Sequence, residues 1–115
     1  MRLPNAERAV IPREKLIGYL LSTTHPYGRH KAAFFAAFGF DATECDRLEA
    51  ALRQHALIGE VAEVVRTRFG TKYVVTGRLE TPSGRDAWVQ TIWFAGKARE
   101  APRFVTGYPA REKER

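Results

Sequence analysis

Lys72-Tyr73-Val74-Val75-Thr76-Gly77-Arg78-Leu79-Glu80, then Thr81-Pro82-Ser83-Gly84, then Arg85-Asp86-Ala87-Trp88-Val89-Gln90-Thr91-Ile92-Trp93-Phe94 is the stretch that decides the fold. Two runs rich in β-branched and aromatic residues flank a cluster of turn formers, and a connection this short joins antiparallel neighbours. In the first run Tyr73, Val75, Gly77 and Leu79 share one face, while Lys72, Val74, Thr76 and Arg78 share the other. In the second, Ala87, Val89, Thr91 and Trp93 oppose Trp88, Gln90, Ile92 and Phe94. Apolar side chains on both sides mark this second run as a central strand.

Outward from this hairpin, Val61 to Phe69 forms an earlier strand that turns at Gly70, and Arg103 to Tyr108 forms a later one. Before Gly59 the period is that of a helix. Pro12 suits a first helical position, and Leu16, Ile17, Leu20 and Leu21 then make a short amphipathic helix ending near Ser22. Ser22 to Pro26 reads as a loop. A second helix is expected from about Gly28 to Phe38, with Phe34, Phe35 and Phe38 as its buried stripe and Gly39 as its stop. Asp41-Ala42-Thr43-Glu44 has the spacing of a capping box, and Cys45, Leu48, Leu52 and His55 trace a third helix. His55 is expected near its C-terminus, complementing the helix dipole.

Helices in a block before strands predict an α+β fold, in which two or three N-terminal helices pack on one face of a four-stranded antiparallel meander. At 115 residues the chain is expected to form one domain. An extended arm covers 1–12, a helical part 13–56, a sheet 59–109 and a frayed, charge-alternating tail 110–115.

Composition narrows the function. Hydrophobic content of 44% argues for a folded core, and a net charge of +6 implies a negative partner, nucleic acid before membrane. The lone Cys45 rules out an internal disulfide and reads as a buried thiol. No apolar run nears the roughly 20 residues of a membrane span, and Met1-Arg2-Leu3-Pro4 lacks a signal-peptide core, so a cytoplasmic protein with no membrane partner is expected.

The chemistry concentrates in His25-Pro26-Tyr27-Gly28-Arg29-His30-Lys31, two imidazoles and two cations at a helix start. Unpaired N–H groups there already favour an anion, and a cationic cluster in the same place suits phosphate. The three histidines lack metal-ligand spacing, and no phosphate-binding glycine loop or dinucleotide fingerprint occurs, so neither metal nor cofactor is expected. RNA carries its own nucleophile, the 2′-hydroxyl. A cleaving enzyme then needs a proton acceptor, a proton donor and cations for the developing charge. His25, His30 and Lys31 are candidates for acid and base, and Arg29 and Lys72 for the cations. Thr71, Tyr73, Thr91, Thr106 and Tyr108 are candidates to hold phosphate oxygens. The competing readings are a non-catalytic nucleic-acid-binding module, using Trp88 and Tyr73 as stacking aromatics, and a protein-interaction domain of a toxin–antitoxin pair.

The segments Leu3-Pro4-Asn5-Ala6, His25-Pro26 to Lys31, Phe69-Gly70-Thr71-Lys72-Tyr73 and Pro102-Arg103-Phe104-Val105-Thr106-Gly107-Tyr108-Pro109 resemble an uncharacterised bacterial domain family with the same layout. Phe69 departs from it, standing where the pattern has tyrosine. More remotely, helices followed by a meander with a His-bearing helix start are similar to the small ribonucleases of the barnase, EndoU, colicin and RelE group, which often act as toxins. That similarity implies a metal-independent endoribonuclease in which His25, His30 or Lys31 faces the central strands and Thr106 or Tyr108 on the last strand completes the site. It also implies two partners, RNA and an acidic neutralising protein.

Overall fold

A computed structural model describes residues 1–16, 29–40, 42–97 and 100–110; for Arg29, His30 and Ala42 it describes the backbone element alone. The fold is α+β. Its helices are α1 (Arg13–Lys15), α2 (Arg29–Ala37) and α3 (Cys45–Ile58), followed by strands β1 (Glu60–Thr67), β2 (Gly70–Leu79), β3 (Ala87–Ala95) and β4 (Arg103–Pro109). The strands form one antiparallel sheet in the order β1-β2-β3-β4. The expected continuation of the first helix to Ser22, and the loop after it, lie outside the described residues.

Alternation sorts the sheet into two faces. On β3 every odd-numbered residue from Ala87 to Ala95 is buried and every even-numbered one is half-buried. Val75 and Leu79 of β2 and Phe104 of β4 share the covered side, where Trp93 meets Phe104 edge-to-face at 5.3 Å. Cys45, Leu48, Ala51, Leu52, His55 and Ala56 form the inward stripe of α3. Close approach of this helix to β2 needs glycine on both sides. A Cβ on Gly77 would sit 3.2 Å from Gly59 Cα, and one on Gly59 would sit 2.6 Å from a Val75 methyl.

The end of α2 follows from Gly39, which takes φ +99°. The Gly39 N–H donates to Ala36 O and the Phe40 N–H to Phe35 O, the paired bonds of a Schellman stop, and the Phe35 and Phe40 rings close it with an edge contact at 6.2 Å. Phe35 is deeply buried, whereas Phe34 and Phe38 pack at the border of the core.

Three local expectations change. β1 ends at Thr67 and Phe69 lies at the turn, 71% exposed, because the Thr67 hydroxyl takes the Phe69 N–H and donates to Gly70 O, closing a two-residue connection. Residues Ala42–Glu44 form a 3-10 turn, and α3 begins after Glu44, which makes no side-chain cap bond and pairs instead with Arg47 at 3.2 Å. The N-terminal arm contains a 3-10 turn at Ala6–Arg8, then lays Val10 beside β4 as a parallel bridge. In that bridge the Val10 N–H donates to Pro102 O and the Phe104 N–H to Val10 O.

The register slips between Ile92 and Trp93: Ile92 faces Thr106, yet Trp93 faces Phe104. Val105 is therefore the extra residue of a β-bulge. Without it, Phe104 and Thr106 would share a face. With it, Phe104 enters the core while Thr106 and Tyr108 line up with Ile92 and Gln90 on the opposite side.

Candidate functional site

Helix α2 is clamped at its C-terminal end to the β2–β3 hairpin. The Ser83 N–H donates to Phe38 O at 3.1 Å, and the Arg85 guanidinium stands 4.8 Å over the Phe38 ring. With Phe35 buried beneath it, the first turn of the helix is laid along β4. This turn contains no acid. Lys31, half-buried, donates from Nζ to Thr106 Oγ1 at 3.3 Å and lies 5.9 Å from the centre of the Tyr108 ring. An ammonium held between a hydroxyl and an aromatic face at a helix start suits an anionic oxygen, since several donors converge and the backbone dipole adds to the field.

The predicted site residues divide accordingly. Lys31, Thr106 and Tyr108 come together. Lys72 projects from the same sheet face as Thr106, two strands away, in the cross-strand row Lys72, Phe94, Arg103. Arg29 and His30 lie in the first turn of α2, their side chains outside the described residues, as is His25 entirely.

Tyr73 belongs to the other side. It stands opposite Trp93 and packs on the core, so it shares no surface with Lys72 and is not an open stacking platform. Thr71 shares that side, opposite Ala95.

Thr91 requires a correction. It is 0% exposed, in the middle of the core, and its hydroxyl is engaged by His55 Nε2 at 2.8 Å and by the Trp93 indole N–H, also at 2.8 Å. His55 is corrected with it. The ring is fully buried, its Nδ1 lies 3.2 Å from Arg78 O, and burial pushes its pKa below the ordinary value of 6.5. A neutral imidazole tying α3 to the sheet replaces the expected charge at the helix terminus. Burial likewise pushes the Cys45 thiol up, away from nucleophilic thiolate.

Sequence reasoning passed over Phe94 and Arg103 as surface residues. The signal was present in the alternation, because Phe94 has the same parity as Trp88 and its neighbours in register are both cations. A groove of about 340 Å³ lies elsewhere, between α3 and the β2–β3 hairpin, and holds none of the predicted site residues. Among the described residues no cluster of His, Cys, Asp and Glu is arranged to hold a metal, and no helix is long and apolar enough to cross a membrane.

Comparison with known proteins follows the fold. A chain from a contact-dependent growth inhibition toxin–immunity protein complex of Klebsiella pneumoniae 342 superposes with a TM-score of 0.70 at 16% identity, over 88% of this chain and 99% of that one. At this identity the likeness is one of fold. No curated protein sequence matches. The family described as "Domain of unknown function (DUF6883)" matches residues 2–111, and the chain belongs to it.

Proposed function

We propose that this DUF6883 domain is a metal-independent endoribonuclease of the small toxin type, with Lys31 and Thr106 at the reaction centre. The observation that carries this reading is the Lys31 ammonium, brought by a helix start to 3.3 Å from the Thr106 hydroxyl and over Tyr108 on a distant strand. A stability-driven surface would place an acid in that first turn. A held cation beside two hydroxyl-bearing side chains, in a chain of net charge +6, instead suits a phosphodiester.

In the reaction a base removes the 2′-hydroxyl proton and the 2′-oxygen attacks phosphorus. The bond to the 5′-oxygen breaks, that oxygen takes a proton, and a 2′,3′-cyclic phosphate remains. Lys31 and Thr106 stabilise the charge that grows on the non-bridging oxygens. His25, His30 and Lys31 are the candidates for base and acid, with Arg29 and Lys72 as further cations. Tyr108 holds the substrate beside them. The fold shared with a chain of a toxin–immunity complex supports placement in a toxin system, and the positive charge supports an acidic cognate protein that covers the site.

The test is cleavage of a labelled oligoribonucleotide and of total cellular RNA in the presence of a chelator. The wild-type protein is expected to leave cyclic phosphate ends, and Lys31→Ala or His30→Ala to slow cleavage by about 100-fold or more. Wild-type rates in both variants remove the mechanism, and intact RNA with the wild-type protein removes the activity.

A further inference from the structure

We propose that the sheet face opposite α3 is a stacking platform for single-stranded RNA, with Phe94 set between Lys72 and Arg103, and Trp88 beside Arg78. The proposal rests on the ribonuclease reading for the scissile phosphate at Lys31 and Thr106, and adds where the rest of the strand lies.

The register alone assembles this surface. Lys72, Phe94 and Arg103 are cross-strand neighbours on β2, β3 and β4, so the two cations stand about 10 Å apart with the ring between them. Next to this row come Val74, Ile92 and Thr106, then Thr76, Gln90 and Tyr108, then Arg78 and Trp88. Phe94 and Trp88 are separated by about 20 Å of strand, and Tyr108 stands between them in register. All three aromatic side chains are partly exposed, while Val74 in the row between them is buried.

Charge points to a polyanion. Among the described residues, the side chains of Lys72 and Arg103 make no hydrogen bond or ion pair. The acids nearby are Asp86, 3.5 Å from Arg78, and Glu63 and Glu60 on the outer strand β1, Glu60 being paired with the N-terminal ammonium. Lys31 adds a further cation from α2. Partly exposed rings carry a hydration cost that a flat partner would remove, and a ring between two cations, as Phe94 stands between Lys72 and Arg103, matches a base between phosphates. Thr76 and Gln90, in the row of Tyr108, offer hydrogen-bond partners to base edges or 2′-hydroxyls.

The experiment is fluorescence anisotropy of a labelled, fully 2′-O-methylated oligoribonucleotide, which binds but cannot be cut. Phe94→Ala and Arg103→Ala are each expected to weaken binding by about tenfold or more, and Arg103→Ala also to flatten the salt dependence by about one ion. Arg103 is exposed, so its variant tests the face without disturbing the core. Binding should also quench the fluorescence that Trp88→Phe removes. Lys31→Ala should slow cleavage of ordinary RNA by about 100-fold or more. Wild-type affinity in both Phe94→Ala and Arg103→Ala overturns the platform, as does a wild-type protein with no affinity for the oligonucleotide. Loss of an acidic protein partner from these variants, with oligonucleotide binding unchanged, also overturns it and assigns the face to that protein. If the variants lose binding but the wild-type protein cuts no RNA, the ribonuclease reading falls and the platform stands.

Discussion

Trp93 and Trp88 lie on one strand, five residues apart, and face opposite ways. Trp93 is completely buried, stacks edge-on with Phe104, and gives its indole N–H to Thr91, which is itself held by His55. Trp88 is partly exposed, beside an arginine, and its indole nitrogen is buried with no hydrogen-bond partner among the described residues. On the helix side every polar group of this network is satisfied and shielded from water, which is what a core requires. On the other side the aromatic rings are partly exposed and stand beside cations. One face of the sheet packs against α3, and the other carries the row Lys72, Phe94 and Arg103.

The largest test of this contrast is Trp93→Ala, expected to cost about 3–5 kcal/mol by cavity formation and lost packing. Trp88→Ala should cost clearly less, because its ring is partly exposed on the sheet surface, whereas that of Trp93 is fully enclosed. Urea denaturation of the two variants measures the difference, and equal losses would erase the distinction between the faces. Next in size is Thr91→Val. It keeps the shape but leaves His55 Nε2 and the Trp93 N–H without a common partner, at a cost of about 1–3 kcal/mol in the same assay. A neutral outcome would show that the network contributes little beyond packing.

The smallest effect is the pH dependence. His55 titrates lower when folded than when unfolded, because burial disfavours its charged form. The unfolded chain therefore binds the proton first. Stability is full above 6.5, the ordinary value, and falls as pH drops from there towards the folded value. Denaturation midpoints between pH 7.5 and about 5.5 should decline in the wild-type protein and stay flat in His55→Asn. A flat wild-type profile would mean that the ring accepts its proton without leaving the core.

Much of this contrast could be read from the chain. Odd and even residues of β3 divide into core and surface because successive side chains of a strand point apart, and the short connections on either side of β2 permit only antiparallel neighbours. The α3 stripe and the Gly39 stop were legible for similar reasons, since both are local. The roles of Thr91 and His55 were not. Threonine is a common strand former and histidine a common helix-end residue, and neither reveals from its neighbours that the two will meet. The parity of Tyr73 was legible, but nothing local says which face the helices cover, and the structure packs it against the core.

The order of helices and strands, the meander and the two-sided character of its central strand were determined by the amino-acid sequence alone, through periodicity and turn chemistry. Only the tertiary structure decided that Lys31 would meet Thr106, a residue 75 positions away. That meeting depends on α2 being anchored through Phe35 and the hairpin, and on Val105 bulging from β4 so that Phe104 and Thr106 part to opposite faces. A one-residue slip in register reverses which side a side chain takes, and it is set by packing between distant segments.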